Sequence, residues 1–152
     1  MQYGDNVLSV DWDPEDGSGV RGQRLLERPP LARLRSAVWE LDPGASSGPY
    51  HLHHGAEELL IVLRGQPTLR RPDGERRLDE GAVAYFEPGP AGAHQVLNHT
   101  DGPVRYLMIA SHVTPDVVEY PDEGKIIAWA VTHSPQQGKQ LFVEHQLRTT
   151  DA

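Results

Sequence analysis

The sequence contains no cysteine, and this absence removes two classes of protein at once. A small domain held together by disulfide bonds is excluded, because such a domain needs several cysteines. A metal site built from thiolates is excluded for the same reason, so any metal ion must be held by histidine and carboxylate side chains. The chain has 8 histidines and 22 acidic residues from which such a site can be built.

Positive charge is also scarce, with 14 lysines and arginines against 22 acidic residues and a net charge of −8. A surface with this balance repels the phosphates of nucleic acids and the headgroups of anionic membranes. No apolar run is longer than the six residues 126–131, whereas a membrane-spanning helix needs about 20 apolar residues. The amino terminus shows no basic and apolar leader. We therefore expect a cytoplasmic protein that has neither nucleic acid nor a membrane as its partner.

The sequence is rich in turn signals, with 15 glycines and 13 prolines spread over 152 residues. Between these signals lie short runs of alternating apolar and polar residues, which are typical of β-strands. About eight strands are predicted in this way, and they begin near positions 31, 50, 58, 68, 76, 82, 94 and 104. The predicted fold class is therefore all-β, with one domain folded as a sandwich or barrel.

Composition divides the chain into three regions. Residues 1–30 are polar and acidic and are predicted to form an irregular N-terminal arm, with a short strand near residues 7–10 and with Trp12 packed on the body. An arm exchanged between two subunits is the alternative. Residues 31–120 are predicted to form the β-barrel. Residues 121–152 are predicted to form a C-terminal extension that packs on the barrel or on a partner subunit, because the apolar run at 126–131 needs to be covered.

The most informative motif is H-x-H-x4-E, formed by His51, His53 and Glu58. Side chains at positions i and i+2 of a strand point to the same side, so both imidazoles face one way. Imidazole and carboxylate groups are ligands of first-row divalent metals. Glu57 competes with Glu58 for the role of the carboxylate ligand. His94, which follows a turn rich in proline and glycine, is the fourth candidate ligand.

Together these residues resemble the two conserved motifs of the cupin superfamily. The first motif, commonly written G-x5-H-x-H-x3,4-E-x6-G, is matched by His51, His53, Glu58 and Gly65. The second motif, G-x5-P-x-G-x2-H-x3-N, is matched by Pro88, Gly92, His94 and Asn98. The chain departs from the family pattern at the opening glycine of the first motif and in the loop before His94. Both ligand-bearing halves are intact.

The resemblance implies that the all-β fold is a double-stranded β-helix, the jelly-roll barrel of the cupins. It also implies that His51, His53, Glu58 and His94 converge on one divalent metal ion inside the barrel. Nitrogen and oxygen ligands with coordination positions left open suit Fe, Mn, Ni, Co or Zn, and the sequence does not choose among these metals. Because cupins are often dimers, the resemblance also favours a homodimer.

Two further groups of side chains are predicted to take part in the site. An inward-facing arginine can hold a carboxylate at two points, and polar or aromatic side chains can line the cavity. The alternative roles are a solvated strand face or a salt bridge for the arginines, and ordinary barrel core for Met108. The substrate-binding candidates are Arg33, Arg35, Tyr85, Gln95 and Met108. The candidates for a catalytic acid or base are Tyr50 and Tyr106.

A metal ion with open positions permits three kinds of function, and the resemblance to cupins allows all three. We expect the protein to bind or act on a small-molecule ligand in the barrel cavity, with a dioxygenase as the first candidate. The alternatives are a metal-dependent isomerase or lyase, and a module that binds a sugar or an organic acid without turnover. No compelling acid and base pair accompanies the metal ligands, so the sequence does not decide whether the protein is an enzyme.

Overall fold

The computed structural model describes residues 6–10, 12, 17–25, 33–131 and 140–147. This part of the chain contains twelve β-strands and two short 3-10 helices, so the predicted all-β fold class is confirmed. None of its helices is long and apolar enough to cross a membrane. The strands are β1 (Val20–Arg24), β2 (Leu34–Leu41), β3 (Leu52–His53), β4 (Glu58–Arg64), β5 (Thr68–Arg71), β6 (Gly74–Arg77), β7 (Val83–Phe86), β8 (Gln95–Leu97), β9 (Val104–Ser111), β10 (Asp116–Tyr120), β11 (Lys125–Val131) and β12 (Gln140–Gln146). The 3-10 helices are Pro90–Gly92 and Pro121–Glu123.

The strands form two surfaces that pack against each other. One surface is a five-stranded antiparallel sheet with the order β1-β2-β9-β4-β7. The other surface combines a three-stranded sheet, β6-β5-β8, with a four-stranded sheet, β12-β11-β10-β3. An isolated β-bridge between His51 and His94 joins these two smaller sheets. The chain passes back and forth between the two surfaces, as the predicted double-stranded β-helix requires.

The barrel interior is lined by every second residue of each strand. On the five-stranded sheet, for example, Trp39, Tyr106 and Val62 form one inward-facing row across β2, β9 and β4. Glu58 lies on the same face of β4, so the alternation that builds the core also turns this carboxylate inward. Leu34 lies on the outward face of β2 and is 66% exposed. The buried core contains side chains from both surfaces: Leu41, Leu60, Val62, Leu69, Phe86, Val96, Val104 and Tyr106.

Two residues of the cupin-like motifs support the barrel rather than the metal site. Asn98 is fully buried, and its side-chain amide donates to the carbonyl oxygen of Gly102 and to that of the last residue of β2, both at 2.9 Å. Gly92 has no room for a side chain, because a Cβ there would lie 1.8 Å from the carbonyl oxygen of Glu87. Glycine at this position therefore permits the tight turn that leads the chain to His94.

The edges of the barrel differ from what the sequence predicts. Residues 6–10 form a turn and no strand, whereas the polar segment V-R-G-Q-R forms β1. This strand is held by pairing with β2, where Gly22 lies against the ring of Trp39. Strands on both sides of the predicted 31–120 barrel pair directly with it, β1 with β2 and β11 with β10. The rest of the predicted arm and extension, residues 1–5, 11, 13–16, 26–30, 132–139 and 148–152, lies outside the described residues, as do residues 31 and 32 of the predicted barrel.

The outer face of β1, β2 and β9 carries a compact network of charges. Glu40 on the central strand accepts hydrogen bonds from Arg21 at 3.0 Å and from Arg105 at 2.7 Å. Arg21 also pairs with Asp42 at 2.5 Å, and the hydrogen bond with this carboxylate is the main reason that the pKa of Arg21 is raised. The ring of Trp12 lies 5.2 Å from the guanidinium carbon of Arg105, so Trp12 packs on the body. The charges of this face therefore satisfy one another.

Candidate metal centre

Four side chains with metal-ligating atoms converge at one end of the barrel interior. His51 and His53 come from the segment around β3, Glu58 opens β4, and His94 immediately precedes β8. His51 and His94 are paired through their backbones, with N–H to O distances of 3.1 and 2.8 Å. The ring centroids of His51 and His94 are 4.7 Å apart, and those of His51 and His53 are 5.5 Å apart. The structure therefore brings the four predicted ligands together.

Each of the three histidines has one ring nitrogen engaged in a hydrogen bond, and Nε2 of His53 and of His94 is turned towards Glu58. In every ring Nδ1 lies within hydrogen-bonding distance of an oxygen acceptor, and this contact assigns the proton to Nδ1. Nε2 is then unprotonated and has a lone pair available for a metal ion. The acceptors are the carbonyl oxygen of Pro49 for His51 at 3.0 Å, a carboxylate oxygen of Asp116 for His53 at 2.7 Å, and the carbonyl oxygen of Gly92 for His94 at 3.0 Å.

Glu58 supplies the carboxylate around which these nitrogens gather. Its Oε2 lies 3.3 Å from Nε2 of His94 and 3.7 Å from Nε2 of His53. This oxygen is buried and has no hydrogen-bond partner among the described residues, which is unfavourable for a carboxylate. Ligand atoms of His51, His53 and Glu58 all lie within 4.8 Å of one another. A metal ion bonded to each donor at about 2.1 Å would hold neighbouring donors about 3 Å apart, so the donor set fits such an ion.

Burial favours the neutral, metal-binding form of two of the histidines. The pKa of His94 is lowered to about 3, chiefly by burial and next by the neighbouring His51. The pKa of His51 is also lowered, again chiefly by burial. The ring of Phe86 stacks on that of His94 with a centroid distance of 3.8 Å and covers one side of it. Both imidazoles are therefore neutral at pH 7.

Asp116 supports His53 from outside the ligand set, and sequence reasoning missed it. Its side chain is almost wholly buried, at 1% exposed, where β10 begins. One carboxylate oxygen accepts from His53, and the other accepts from the backbone N–H groups of Gly55 and Val117. Burial by itself would raise the pKa of Asp116, but the hydrogen bonds, that of His53 first, outweigh burial and lower it. No motif spacing links Asp116 to His53; the pairing of β10 with β3 brings them together.

Three of the other predicted site residues, Arg35, Met108 and Tyr106, face the barrel interior. Strand pairing puts Arg35 in the same cross-strand row as Glu58, two strands away. Met108 lies in the next inward-facing row from Glu58 and is half-buried. Tyr106 lies in the row after that and is 2% exposed. Burial is the main reason that the pKa of Tyr106 is raised, so its hydroxyl stays protonated. Arg33 precedes β2 and is exposed.

Tyr50, Gln95 and Tyr85 face away from the metal ligands. Neighbouring residues on a strand point to opposite sides, and Tyr50 and Gln95 each adjoin a ligand histidine. The ring centroid of Tyr50 lies 4.2 Å from the guanidinium carbon of Arg70, and Gln95 donates to a backbone carbonyl oxygen at 2.7 Å. Tyr85 is 50% exposed and lines an open groove of about 510 Å³ beside the β5–β6 hairpin. The structure does not bring these three side chains to the metal centre.

Two glycine patterns that mark other enzyme classes occur here without their usual structural context. Residues 17–22, G-S-G-V-R-G, have the spacing of a dinucleotide-binding loop, but they run into β1 rather than a helix. Residues 44–48, G-A-S-S-G, have the spacing of a nucleophile elbow, which needs a serine between a strand and a helix. Ser46 instead forms a β-bridge with Leu97, and the next element is β3. Neither pattern adds a function.

Comparison with known protein families agrees with this geometry. The family model Cupin_2, described as the cupin domain, matches residues 37–110. The matched segment contains the four candidate ligands and the strands from β3 to β8. The chain is a cupin-domain protein. The motifs that resembled the cupins in sequence therefore lie in a cupin barrel.

Solved structures from several bacteria share the fold of this cupin-domain protein. A sugar phosphate isomerase of the cupin superfamily from Silicibacter pomeroyi has a TM-score of 0.73 at 23% identity, with 96% of each chain covered. A protein provisionally assigned as a sugar phosphate isomerase from Acidithiobacillus ferrooxidans has a TM-score of 0.62 at 28% identity, with 75% of this chain and 69% of that chain covered. The polyketide cyclase RemF from Streptomyces resistomycificus has a TM-score of 0.59 at 22% identity, with 73% and 80% covered. No curated protein matches the sequence.

Proposed function

We propose that this cupin binds one divalent first-row metal ion through His51, His53, Glu58 and His94, and uses it to act on a small molecule in the barrel cavity. The arrangement of donor atoms carries the proposal. Nε2 of His53 and Nε2 of His94 lie 3.7 and 3.3 Å from a buried Glu58 oxygen that has no hydrogen-bond partner among the described residues, and a ligand atom of His51 lies within 4.8 Å of those of His53 and Glu58. A divalent cation would satisfy that oxygen and offset the buried negative charge. The donor set suits Fe, Mn, Ni, Co or Zn.

Isomerisation is the reaction class that we favour for this site. A metal ion held there would act as a Lewis acid towards the carbonyl and hydroxyl oxygens of a bound sugar. The support is the likeness, at 28% identity over 75% of this chain, to the protein provisionally assigned as a sugar phosphate isomerase. The dioxygenase predicted first from the sequence has no comparable support, so we rank it second.

Two of the chain's own residues would prepare the cavity for this chemistry. Asp116, by accepting the Nδ1 proton of His53, fixes the orientation of one ligand before a metal ion arrives. Tyr106 lies on the inner face two rows below Glu58, and because burial raises its pKa its hydroxyl stays a neutral hydrogen-bond donor. Tyr106 faces the barrel interior and Tyr50 does not, so we keep Tyr106 as the candidate acid.

Metal analysis of three forms of the protein tests the first half of the proposal. Wild-type protein loaded with each of the five metals and then desalted should carry about one ion per chain. His53→Ala should lose most of this metal, because it removes a ligand. His54→Ala is the matched control, since His54 is the next residue, is exposed, and pairs with Glu119 at 2.9 Å. A His53→Ala variant with the full complement of metal would show that the site is misassigned.

The reaction class is tested separately on metal-loaded protein. Short-chain aldose and ketose phosphates are followed by proton and phosphorus NMR, and interconversion of any pair would support the isomerase. Oxygen uptake is followed in parallel with Fe(II)-loaded protein and a panel of diketones, thiols and catechols. Oxygen uptake without interconversion would replace the isomerase by the dioxygenase. A sugar phosphate that binds without turnover would favour the non-catalytic binding module.

We also keep the homodimer and the cytoplasmic location as proposals. All side chains of residues 142–147, at the end of the described chain, are exposed, so both faces of this part of β12 are open. Three of them are apolar: Phe142, Val143 and Leu147 are 64%, 47% and 46% exposed. Apolar side chains on both faces of an edge strand favour burial against a second copy of the chain. The location rests on the net charge of −8.

A further inference from the structure

Arg35 is a residue of the cavity for which the proposed metal site gives no explanation. Its side chain faces the interior in the same cross-strand row as Glu58. Its Nε is buried without a hydrogen-bond partner, and no carboxylate of the described residues pairs with its guanidinium. Because arginine stays charged at every physiological pH, a buried donor left without an acceptor is unfavourable. A structure that keeps such a group leaves it available to a ligand.

The other partly buried arginines show what Arg35 lacks. Arg21 and Arg105 share the carboxylate of Glu40 on the outer face of the sheet. Arg70 makes a two-point contact with Asp122, at 2.5 and 3.0 Å. In these cases the acceptor belongs to the chain itself. The guanidinium of Arg35 therefore differs from these partly buried arginines of the described chain.

Two rings shape the surroundings of Arg35 among the described residues. Its guanidinium carbon lies 5.5 Å from the ring centroid of Trp129. The imidazole of His112 stacks on the same indole, with a centroid distance of 5.5 Å and 18° between the planes. Asp116 pairs in register with Trp129, but both of its carboxylate oxygens already accept hydrogen bonds, one of them from His53. Aromatic packing thus holds the cation in the cavity.

The position of Arg35 limits the size of a ligand that could reach both it and the metal centre. Arg35 and Glu58 are two strands apart, so their Cα atoms are separated by about 10 Å. The two side chains shorten this gap, which leaves the length of a molecule of a few carbons. A planar guanidinium binds the oxygens of a phosphate or carboxylate at two points, and it binds neutral hydroxyl groups less strongly.

We propose that Arg35 binds the phosphate group of a small phosphate ester whose other oxygens reach the metal centre. The choice of phosphate rests on the proposed function, whereas the anion site follows from the surroundings of Arg35. In a chain with a net charge of −8, an uncompensated cation inside the cavity is the feature that attracts an anion there. Trp129 and His112 form the wall beside this phosphate site.

Binding of glycerol 3-phosphate, glycerate and glycerol to metal-free protein, measured by isothermal titration calorimetry, tests the phosphate site. Removing the metal with a chelator makes the result independent of the metal chemistry. Arg35→Gln should weaken the binding of glycerol 3-phosphate about tenfold or more, because a charged two-point contact is lost. Arg35→Lys keeps the charge and should recover part of the affinity. Arg24→Gln, the matched control, removes an exposed arginine of β1 and should change nothing.

The outcomes separate this inference from the proposed function. Equal affinity of wild type and Arg35→Gln for glycerol 3-phosphate would overturn the anion site, as would wild-type protein that prefers glycerol or binds nothing at millimolar concentration. Tighter binding of glycerate would overturn the choice of phosphate. If Arg35→Gln does not fold, the anion site is tested by two other results. Wild-type protein should bind glycerol 3-phosphate more tightly than glycerol, and Arg35→Lys should bind it more weakly than wild type does. An Arg35-dependent anion site in a protein that takes up no metal would support this inference and refute the proposed metal chemistry.

Discussion

The two faces of the five-stranded sheet treat charge in opposite ways. On the outer face Glu40 lies between Arg21 and Arg105, and each of these contacts is within 3.0 Å. On the inner face Arg35 and Glu58 lie in one cross-strand row, yet each has a buried polar atom without a partner among the described residues. The outer charges are satisfied by the fold. The inner charges are left for ligands, which we propose are a metal ion at Glu58 and an anion at Arg35.

This difference predicts that stability and binding respond separately to mutation. Breaking a satisfied, largely buried ion pair lowers the free energy of unfolding, because the remaining partner is left uncompensated. Neutralising an unsatisfied buried charge removes an unfavourable term from the ligand-free protein, and the loss appears only in ligand binding. Three changes test whether stability and binding respond separately, and a fourth tests the exposed surface of β12.

Glu58→Gln should give the largest loss of binding and no loss of stability. The amide keeps the shape of the side chain but removes the anionic ligand, so metal affinity should fall about a hundredfold or more. The melting temperature of the metal-free protein should stay the same or rise, because a buried carboxylate oxygen without a partner becomes neutral. Metal titration and thermal unfolding in chelator measure the two quantities. A strongly destabilised metal-free variant would instead assign Glu58 to the fold.

Glu40→Gln should lower stability and leave metal binding unchanged. The change leaves Arg21 and Arg105 without their shared carboxylate, whose side chain is 8% exposed. We expect the free energy of unfolding, measured with urea, to fall by about 1–3 kcal/mol. Metal content should match that of the wild type. If the variant is as stable as the wild type, the outer network does not serve the fold, and the contrast between the two faces disappears.

Asp116→Asn should lower metal affinity by less than Glu58→Gln and by more than Glu40→Gln. The amide has a single oxygen, so it cannot accept both from Nδ1 of His53 and from the backbone N–H groups of Gly55 and Val117, and the charge that fixes the ring is lost. Metal affinity should therefore fall about 10–100-fold. Glu119→Gln is the control on the same strand, since Glu119 pairs with the exposed His54 and should leave metal affinity unchanged. Metal competition titrations compare the two variants. Wild-type affinity in Asp116→Asn would mean that His53 needs no such anchor.

Phe142→Ser should have the smallest effect on the folded chain. This side chain of β12 is 64% exposed, so the free energy of unfolding should change by no more than about 0.5 kcal/mol, and metal binding should not change. If two copies meet through β12, light scattering over a concentration series should show weaker dimerisation. Glu144→Gln, on the same strand and face, is the control and should dimerise as the wild type does. A monomeric wild type would end the homodimer proposal.

The sequence predicts those features of the molecule that depend on short spacings. Alternation of apolar and polar residues predicts the central strands, and the H-x-H-x4-E spacing predicts that His51, His53 and Glu58 share a face. The same alternation implies that Tyr50 and Gln95, each next to a ligand histidine, point away from the metal centre. Their contacts, Arg70 for Tyr50 and a backbone carbonyl oxygen for Gln95, agree with this placement.

Other features depend on contacts between distant parts of the chain and have no local signature. Asp116 reaches His53 because β10 pairs with β3. The surroundings of Arg35 include Trp129 of β11, which is distant in sequence, so no local motif predicts them. The polar strand β1 forms because β2 offers it a pairing edge. Tertiary context outweighs intrinsic strand propensity in such cases.

The backbone bridge between His51 and His94 has a thermodynamic consequence. It is the seam at which the three-stranded and four-stranded sheets of the second surface meet. A metal ion bound by both imidazoles would hold the two sheets together at this bridge. Metal binding and folding of the barrel would then be linked equilibria. At a free ion concentration a hundredfold above its dissociation constant, the linkage stabilises the fold by about 2.7 kcal/mol. The supply of metal around the protein would then set the lifetime of the barrel as well as its chemistry.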